Sequence, residues 1–159
     1  MVNINIICVG KLKEKYLKDA IDEYSKRLSK YCKLNIIEVK DEIIPDTLNE
    51  RLTENIKSTE GIKILNNIKN SYIISLDLKG KEYTSEEFSH KLENIVLNNN
   101  SLITFIIGGS LGLSKEVLDK SNELVCFSKL TFPHQLIRVF LLEQIYRAFK
   151  IQNNETYHK

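Results

Sequence analysis

Proline and glycine are scarce in this 159-residue chain, at 2 and 6. With 42% hydrophobic and 28% charged residues, that scarcity excludes collagen-like, linker and disordered chains and leaves a globular domain able to bury a core. No apolar run approaches the ~20 residues that span a bilayer, and a strand-like pattern follows Met1 directly with no signal-peptide layout. Neither a membrane association nor secretion is expected. Cysteine is limited to Cys8, Cys32 and Cys126, odd in number, far apart and set among apolar neighbours. That pattern excludes a disulfide framework or a zinc site and fits reduced thiols in a cytoplasmic protein. Net charge is only +2, too little for a nucleic-acid footprint by itself.

Several catalytic signatures are also missing. Aligning Gly109 and Gly112 on the dinucleotide fingerprint G-x-G-x-x-G puts Ile107 in the first glycine position, and no G-x-x-x-x-G-K-[ST] phosphate loop occurs. There is no Ser/His/Asp ordering, no paired-carboxylate signature and no cluster of His, Cys and Asp, so hydrolysis and metal chemistry have no support and no metal is expected.

What is present is a regular alternation. Val2–Val9 reads as a strand ending at Gly10, Leu12–Lys30 as an amphipathic helix, and Leu34–Val39 as a second strand. A charged loop, Lys40–Asp46, leads to a long helix marked by Leu48, Leu52, Ile56, Ile62, Leu65 and Ile68 and loosened at Gly61. A strand at Tyr72–Leu78 and a turn through Gly80 come next, then a helix opened by the capping-box pair Thr84 and Glu87. The strand Leu102–Ile107 enters a glycine-rich loop, Gly108–Gly112, read either as a tight turn or as a place where a ligand approaches the backbone. A short helix from Ser114, a strand at Leu124–Phe127 and a last helix over Pro133–Lys150 complete the order βαβαβαβαβα. This predicts one α/β domain over residues 1–159, with a mainly parallel sheet, helices on both faces and a ligand site at the carboxyl ends of the strands.

Charge is distributed unevenly, with residues 1–33 at +4, 34–128 at −5 and 129–159 at +3. Folding that joins the basic ends would create a positive surface for phosphates; otherwise they are solvated helix faces. The last helix is apolar at nearly every angle, which predicts burial on more than one side and a homodimer formed through it. Arg138 falls on its apolar stripe and needs an anion, either a structural carboxylate or an anionic substrate group. His90 reads as a surface residue, His134 as a helix start or a site residue, and His158 as part of a polar tail left disordered.

The segments VGKLKEKY (Val9–Tyr16), LDLKGK (Leu76–Lys81), TSEEF (Thr84–Phe88), IGGSLGL (Ile107–Leu113), LTFPHQLIRVFLLEQIYRAFKI (Leu130–Ile151) and the terminal YHK (Tyr157–Lys159) together resemble the ribosomal large-subunit methyltransferase H family, small members of the SPOUT class. The resemblance covers the whole chain. Leu111 and Leu78 depart from commonly small or polar family residues. What it implies is a homodimeric enzyme that moves a methyl group from S-adenosyl-L-methionine to N3 of a pseudouridine in 23S large-subunit rRNA on the assembled ribosome, with no DNA partner. It also implies a carboxyl-terminal trefoil knot, an exception to the rule that chains do not knot. The cofactor pocket carries over to Leu76, Gly108, Phe127, Ser128, Lys129, Leu130, Thr131 and Phe132. For catalysis the expectation is Arg138 stabilising the imide anion and His158 accepting its proton, with Tyr157 beside it. Lys159 and His134 are expected on the substrate, and the tail is expected to order when RNA arrives. The alternatives are a non-catalytic ribosome-binding protein of the same fold and a flavodoxin-like redox module.

Overall fold

The computed structural model describes residues 1–98 and 100–159; Asn99, in the turn-rich stretch between the third helix and fourth strand, lies outside the described residues. In chain order the elements are β1 (Val2–Val9), α1 (Lys15–Leu28), β2 (Cys32–Val39), α2 (Glu50–Leu65), β3 (Tyr72–Lys81), α3 (Ser85–Leu97), β4 (Leu102–Ile107), α4 (Lys115–Lys120), β5 (Glu123–Val125) and α5 (His134–Gln152). The strands form one sheet in the order β2-β1-β4-β3-β5, every neighbouring pair parallel. β1 and β4 lie side by side at the centre. Their Ile4, Ile6, Ile7, Ile103 and Ile106 and the Phe105 ring are buried, as a strand covered on both faces requires. One face carries a core shared with α1, α3 and α5; the other is a smaller core closed by α2 and α4.

The capping box forms as read: the Thr84 hydroxyl accepts from the Glu87 N–H and the Glu87 carboxylate accepts from the Thr84 N–H. Other boundaries move. α1 starts only at Lys15, and Leu12 stays in the connecting loop with its N–H donated to Glu38. β2 starts earlier, at Cys32, and β5 is shorter, ending at Val125. α2 runs unbroken through Gly61, which is there for close approach: a Cβ would stand 2.4 Å from the Ser114 hydroxyl oxygen. Its buried edge is consequently Glu60, Gly61 and Ile64, while Leu52 and Ile62, expected inside, face solvent.

Gly80 corrects the turn expected there. β3 continues to Lys81 and pairs with β5 twice, at Leu76 and again at Lys81, both against Val125. The Cys126 N–H donates to the Lys81 carbonyl, so the two backbones touch again past the irregularity. A Cβ on Gly80 would lie 2.6 Å from backbone atoms of Leu124 and Val125, which have no room to retreat. Gly80→Ala is therefore expected to destabilise the fold by about 3 kcal/mol, the upper end for overpacking; a urea melt superimposable on that of the parent would contradict the contact.

The all-round apolarity of α5 is taken up inside the chain. α5 packs between α1 and α3 on the sheet, with Leu141, Leu142, Ile145 and Ala148 buried. That packing accounts for the buried sides of the helix within one chain, so its apolarity by itself does not call for a partner subunit. What remains exposed and apolar near its start is the Phe140 ring, edge-on to Phe132 with centroids 5.5 Å apart.

Candidate active site

The carboxyl ends of β3, β4 and β5 open into a cleft of about 810 Å³. Three pieces of chain build it: Leu76–Lys79 leaving β3, the glycine loop after β4, and the segment from Val125 to His134 that leads into α5. The glycine loop is a tight turn and a ligand-facing wall at once. Gly112 has φ of +88° and its N–H donates to the Gly109 carbonyl at 3.1 Å, which folds the loop onto itself. A Cβ at Gly108 would stand 3.0 Å from the Gly112 carbonyl carbon. Of the residues expected around a cofactor, Leu76, Gly108, Phe127, Ser128, Leu130, Thr131 and Phe132 come together on this cleft, and Lys129 points outward from the same loop. The Ser128 hydroxyl accepts from the Leu130 N–H, and the Ser128 carbonyl faces the Cys126 sulfur at 3.1 Å, so the loop is braced internally. α5 begins at the cleft wall after Pro133, with no side-chain cap and no acidic residue in its first turn.

Comparison with known proteins gives a family. Residues 2–158 match the family model described as "Predicted SPOUT methyltransferase". The chain belongs to the SPOUT methyltransferase family. It is 64% identical to the ribosomal RNA large subunit methyltransferase H of Clostridium botulinum (strain Eklund 17B / Type B), over 99% of this chain and 100% of that one. It is 62% identical, with the same coverage, to ribosomal RNA large subunit methyltransferase H 1 of Clostridium perfringens (strain SM101 / Type A). Among solved structures, a tRNA (m1G37) methyltransferase from Aquifex aeolicus shares the fold, with a TM-score of 0.51 at 12% identity, covering 92% of this chain and 69% of that chain.

In this SPOUT methyltransferase His134 lines the cleft, and its imidazole is held below the usual histidine range by burial and by the nearby Arg138 charge, against an opposing pull from Asp41. Arg138 lies elsewhere. It is 2% exposed, one terminal nitrogen donating to Glu38 at 2.7 Å and the other to the carbonyls of Gly10 at 2.6 Å and Val9 at 3.1 Å. The expected imide-stabilising role meets a guanidinium that already has its carboxylate and does not line the cleft. The tail is also placed differently from expectation. It lies on its own chain: the Tyr157 hydroxyl donates to Glu143, while the His158 ring contacts Arg147 through Nδ1 and Glu86 through Nε2. Glu143 in turn lines a second cavity of about 380 Å³ that shares Val125, Cys126, Phe127 and Phe132 with the cleft, so the tail sits one side chain from a space that adjoins the cofactor cleft. Lys159 is exposed at the end, and His90 faces solvent as read. The three thiols are free and buried, and burial pushes Cys8 up to about 12 and Cys32 up to about 11, leaving them inert. Among the described residues no group of three or more His, Cys, Asp or Glu is placed to hold a metal, and no helix is long and apolar enough to cross a membrane.

Glu60 escapes a reading of spacing altogether. It is a buried acid pressed against the glycine loop: one oxygen accepts the Glu42 N–H, the other has no partner, and a Cβ on Gly109 would lie 3.2 Å from it. Burial raises its pKa above the ordinary 4.5; the Glu42 N–H opposes, and the charges of Asp41 and Glu42 add to the rise. A group raised in the folded state stabilises fully below its unfolded value and loses that contribution as pH climbs through the folded value. Glu60→Gln is thus expected to raise the urea midpoint at pH 7 and to lose the advantage at pH 4. An equal difference at both pH values would show that Glu60 does not titrate in this way.

Proposed function

We propose that this protein is an S-adenosyl-L-methionine-dependent enzyme that methylates N3 of a pseudouridine in 23S large-subunit rRNA, acting on the assembled ribosome in the cytoplasm. The observation that carries the reading is the convergence of three separate chain segments, seven expected cofactor residues among them, on one cleft walled by glycine backbone and apolar side chains. Its size suits a cofactor-sized ligand, and main-chain donors and acceptors with a few apolar walls are what an adenine and a methionine moiety need. Bound there, S-adenosyl-L-methionine supplies an electrophilic methyl group on a sulfonium.

The chain's own residues then have three tasks. The loops Gly108–Gly112 and Phe127–Phe132 orient the donor for an in-line displacement, and Phe132 and Phe127 exclude water. His134, kept neutral by its surroundings at physiological pH, offers a hydrogen-bonding ring at the cleft wall toward the base. The tail binds the nucleotide, His158 taking the N3 proton and Tyr157 and Lys159 holding the base and adjoining phosphates. A homodimer is part of the reading, supported by the exposed Phe140 ring and the adjoining cavity at the start of α5. So is a single domain over 1–159 with a carboxyl-terminal trefoil knot, supported by the sheet order and by the tight crossing of Gly80 over the backbone of β5.

The test is transfer of labelled methyl to ribosomes lacking the modification, compared with isolated subunits and naked RNA, the product being located by digestion. Label on a large-subunit pseudouridine, strongest with whole ribosomes, is the expected result. A folded protein that binds the cofactor and labels none of these substrates would overturn the substrate; one that fails to bind the cofactor would favour the non-catalytic module.

A further inference from the structure

We infer that a second cleft, at the amino end of α1, seats a phosphodiester of the RNA substrate beside the cofactor cleft. This surface rests on the RNA substrate proposed above and adds where its backbone is held.

After Gly10, whose φ of +90° turns the chain off the sheet, the segment Lys11–Lys18 presents Lys11, Lys13, Lys15 and Lys18 to solvent, with Glu14 as its one acid. Lys15 is bridged to Asp19; Lys11, Lys13 and Lys18 have no ion-pair partner among the described residues. Tyr16 stands between them, 68% exposed, a ring available for stacking on a base. α2, α3 and α4 each open with a side-chain cap and an acidic residue in the first turn; α1, like α5, has neither, its N-cap Glu14 making no cap hydrogen bond, and it opens with lysines. Cations at the positive end of a helix dipole are unfavourable unless an anion joins them, and the first-turn N–H groups want an acceptor.

A separate feature points the same way. Lys11, Lys18, Leu12 and Ile21 border a cleft of about 330 Å³, and Arg138 and Glu38 also line it. Arg138 is 2% exposed, and its Nε–H is buried with no acceptor. Glu38 neutralises the Arg138 charge, so the positive excess comes from the lysines and the helix end while Nε–H is left as a spare donor. Phosphate oxygens accept from the lysine ammonium groups and from the first-turn N–H groups, above the buried Arg138 guanidinium. The place is also right. Arg138 binds the Gly10 carbonyl, and a Cβ on Gly10 would be 3.7 Å from Nε2 of His134, which lines the cofactor cleft. α1 packs on α5, which sets the amino-terminal basic segment beside the start of the last helix.

The test combines Lys11→Ala, Lys13→Ala and Lys18→Ala, with Lys26→Ala, Lys33→Ala and Lys69→Ala as a charge-matched control. Binding to large ribosomal subunits is measured by co-sedimentation across a salt series, separately from methyl transfer and cofactor affinity. The first variant is expected to bind about tenfold or more weakly, with the slope of log affinity against log salt shallower by ~0.7–0.9, the change for one lost phosphate contact. Its cofactor affinity and its turnover at saturating ribosomes stay at the parent values, and replacement by arginine at the same positions restores binding. Unchanged binding and slope in the alanine variant would overturn the seat. Weaker binding with an unaltered slope would assign these lysines to a ribosomal protein and overturn the phosphate. Should the parent bind subunits with this lysine dependence yet transfer no methyl, the seat stands and the catalytic reading falls; a parent that binds no ribosomal RNA overturns the seat.

Discussion

Deletion of Tyr157, His158 and Lys159 is expected to lower methyl transfer by about a hundredfold or more, the range in which a positioned proton acceptor contributes, while cofactor affinity holds. None of the three residues lines the cofactor cleft. Their contacts lie on the outer side of α3 and α5, at Glu86, Glu143 and Arg147. The structural loss is the Tyr157 hydrogen bond to Glu143 and its edge-on contact with Tyr146, centroids 5.0 Å apart, together of order 2 kcal/mol, with the Arg147 guanidinium over the Tyr157 ring and the surface contacts of His158 with Arg147 and Glu86 adding little more. That leaves a domain of this size folded. Within the tail the two rings are separable. Burial first, and then Glu143, push the Tyr157 phenol up to about 12, so it remains protonated near neutrality and cannot be the acceptor. His158→Ala is expected to reproduce most of the loss and Tyr157→Phe much less of it. Normal turnover by the tail-less protein would sink the proposal.

Arg138→Ala is expected to cost about 2–4 kcal/mol of stability, from the space left by a 2%-exposed side chain and from buried carbonyls left without a donor. Glu38 would keep only the Leu12 N–H, and the carbonyls of Val9 and Gly10 would lose their shared donor at the point where β1 ends. Arg138→Met combined with Glu38→Met should recover only the packing share of the loss, because the Val9 and Gly10 carbonyls and the Leu12 N–H stay without these partners. The measurements are thermal and urea unfolding of both variants, with turnover normalised to the folded fraction. If Arg138→Ala proved as stable as the parent while losing turnover, the substrate role expected for this arginine would return.

The alternation of strands and helices, the capping box at Thr84 and the apolar run of β4 were legible because each is written in neighbouring residues. Periodicity also exposed Arg138 as a cation in need of an anion. It could not supply Glu38 as the answer, since that carboxylate lies 100 positions away on β2 and is brought in by strand order. Strand order is set by which faces close on which, so the interposition of β4 between β1 and β3 had no local mark. Gly80 misled for a related reason: a glycine beside charged residues reads as a turn, whereas here its missing side chain makes room for another strand's backbone. The loops expected to hold the cofactor were named through resemblance, because a wall of main-chain groups leaves few diagnostic side chains. Glu60 had a signal of a kind, a lone acid next to the one glycine of its helix, but its significance appears only with Gly109 resting on it.

The central position of β4 bears on how the chain comes into being. During synthesis β1 and β2 can pair early, yet the other edge of β1 waits for Leu102–Ile107, and the larger core stays open until α5 slides between α1 and α3. Nascent chains therefore carry bare isoleucine-rich strands for most of their time on the translating particle, with long loops still to close. Chains truncated before the last helix are therefore expected to leave the larger core open and to be recovered as insoluble fragments, which fractionation of such truncations checks.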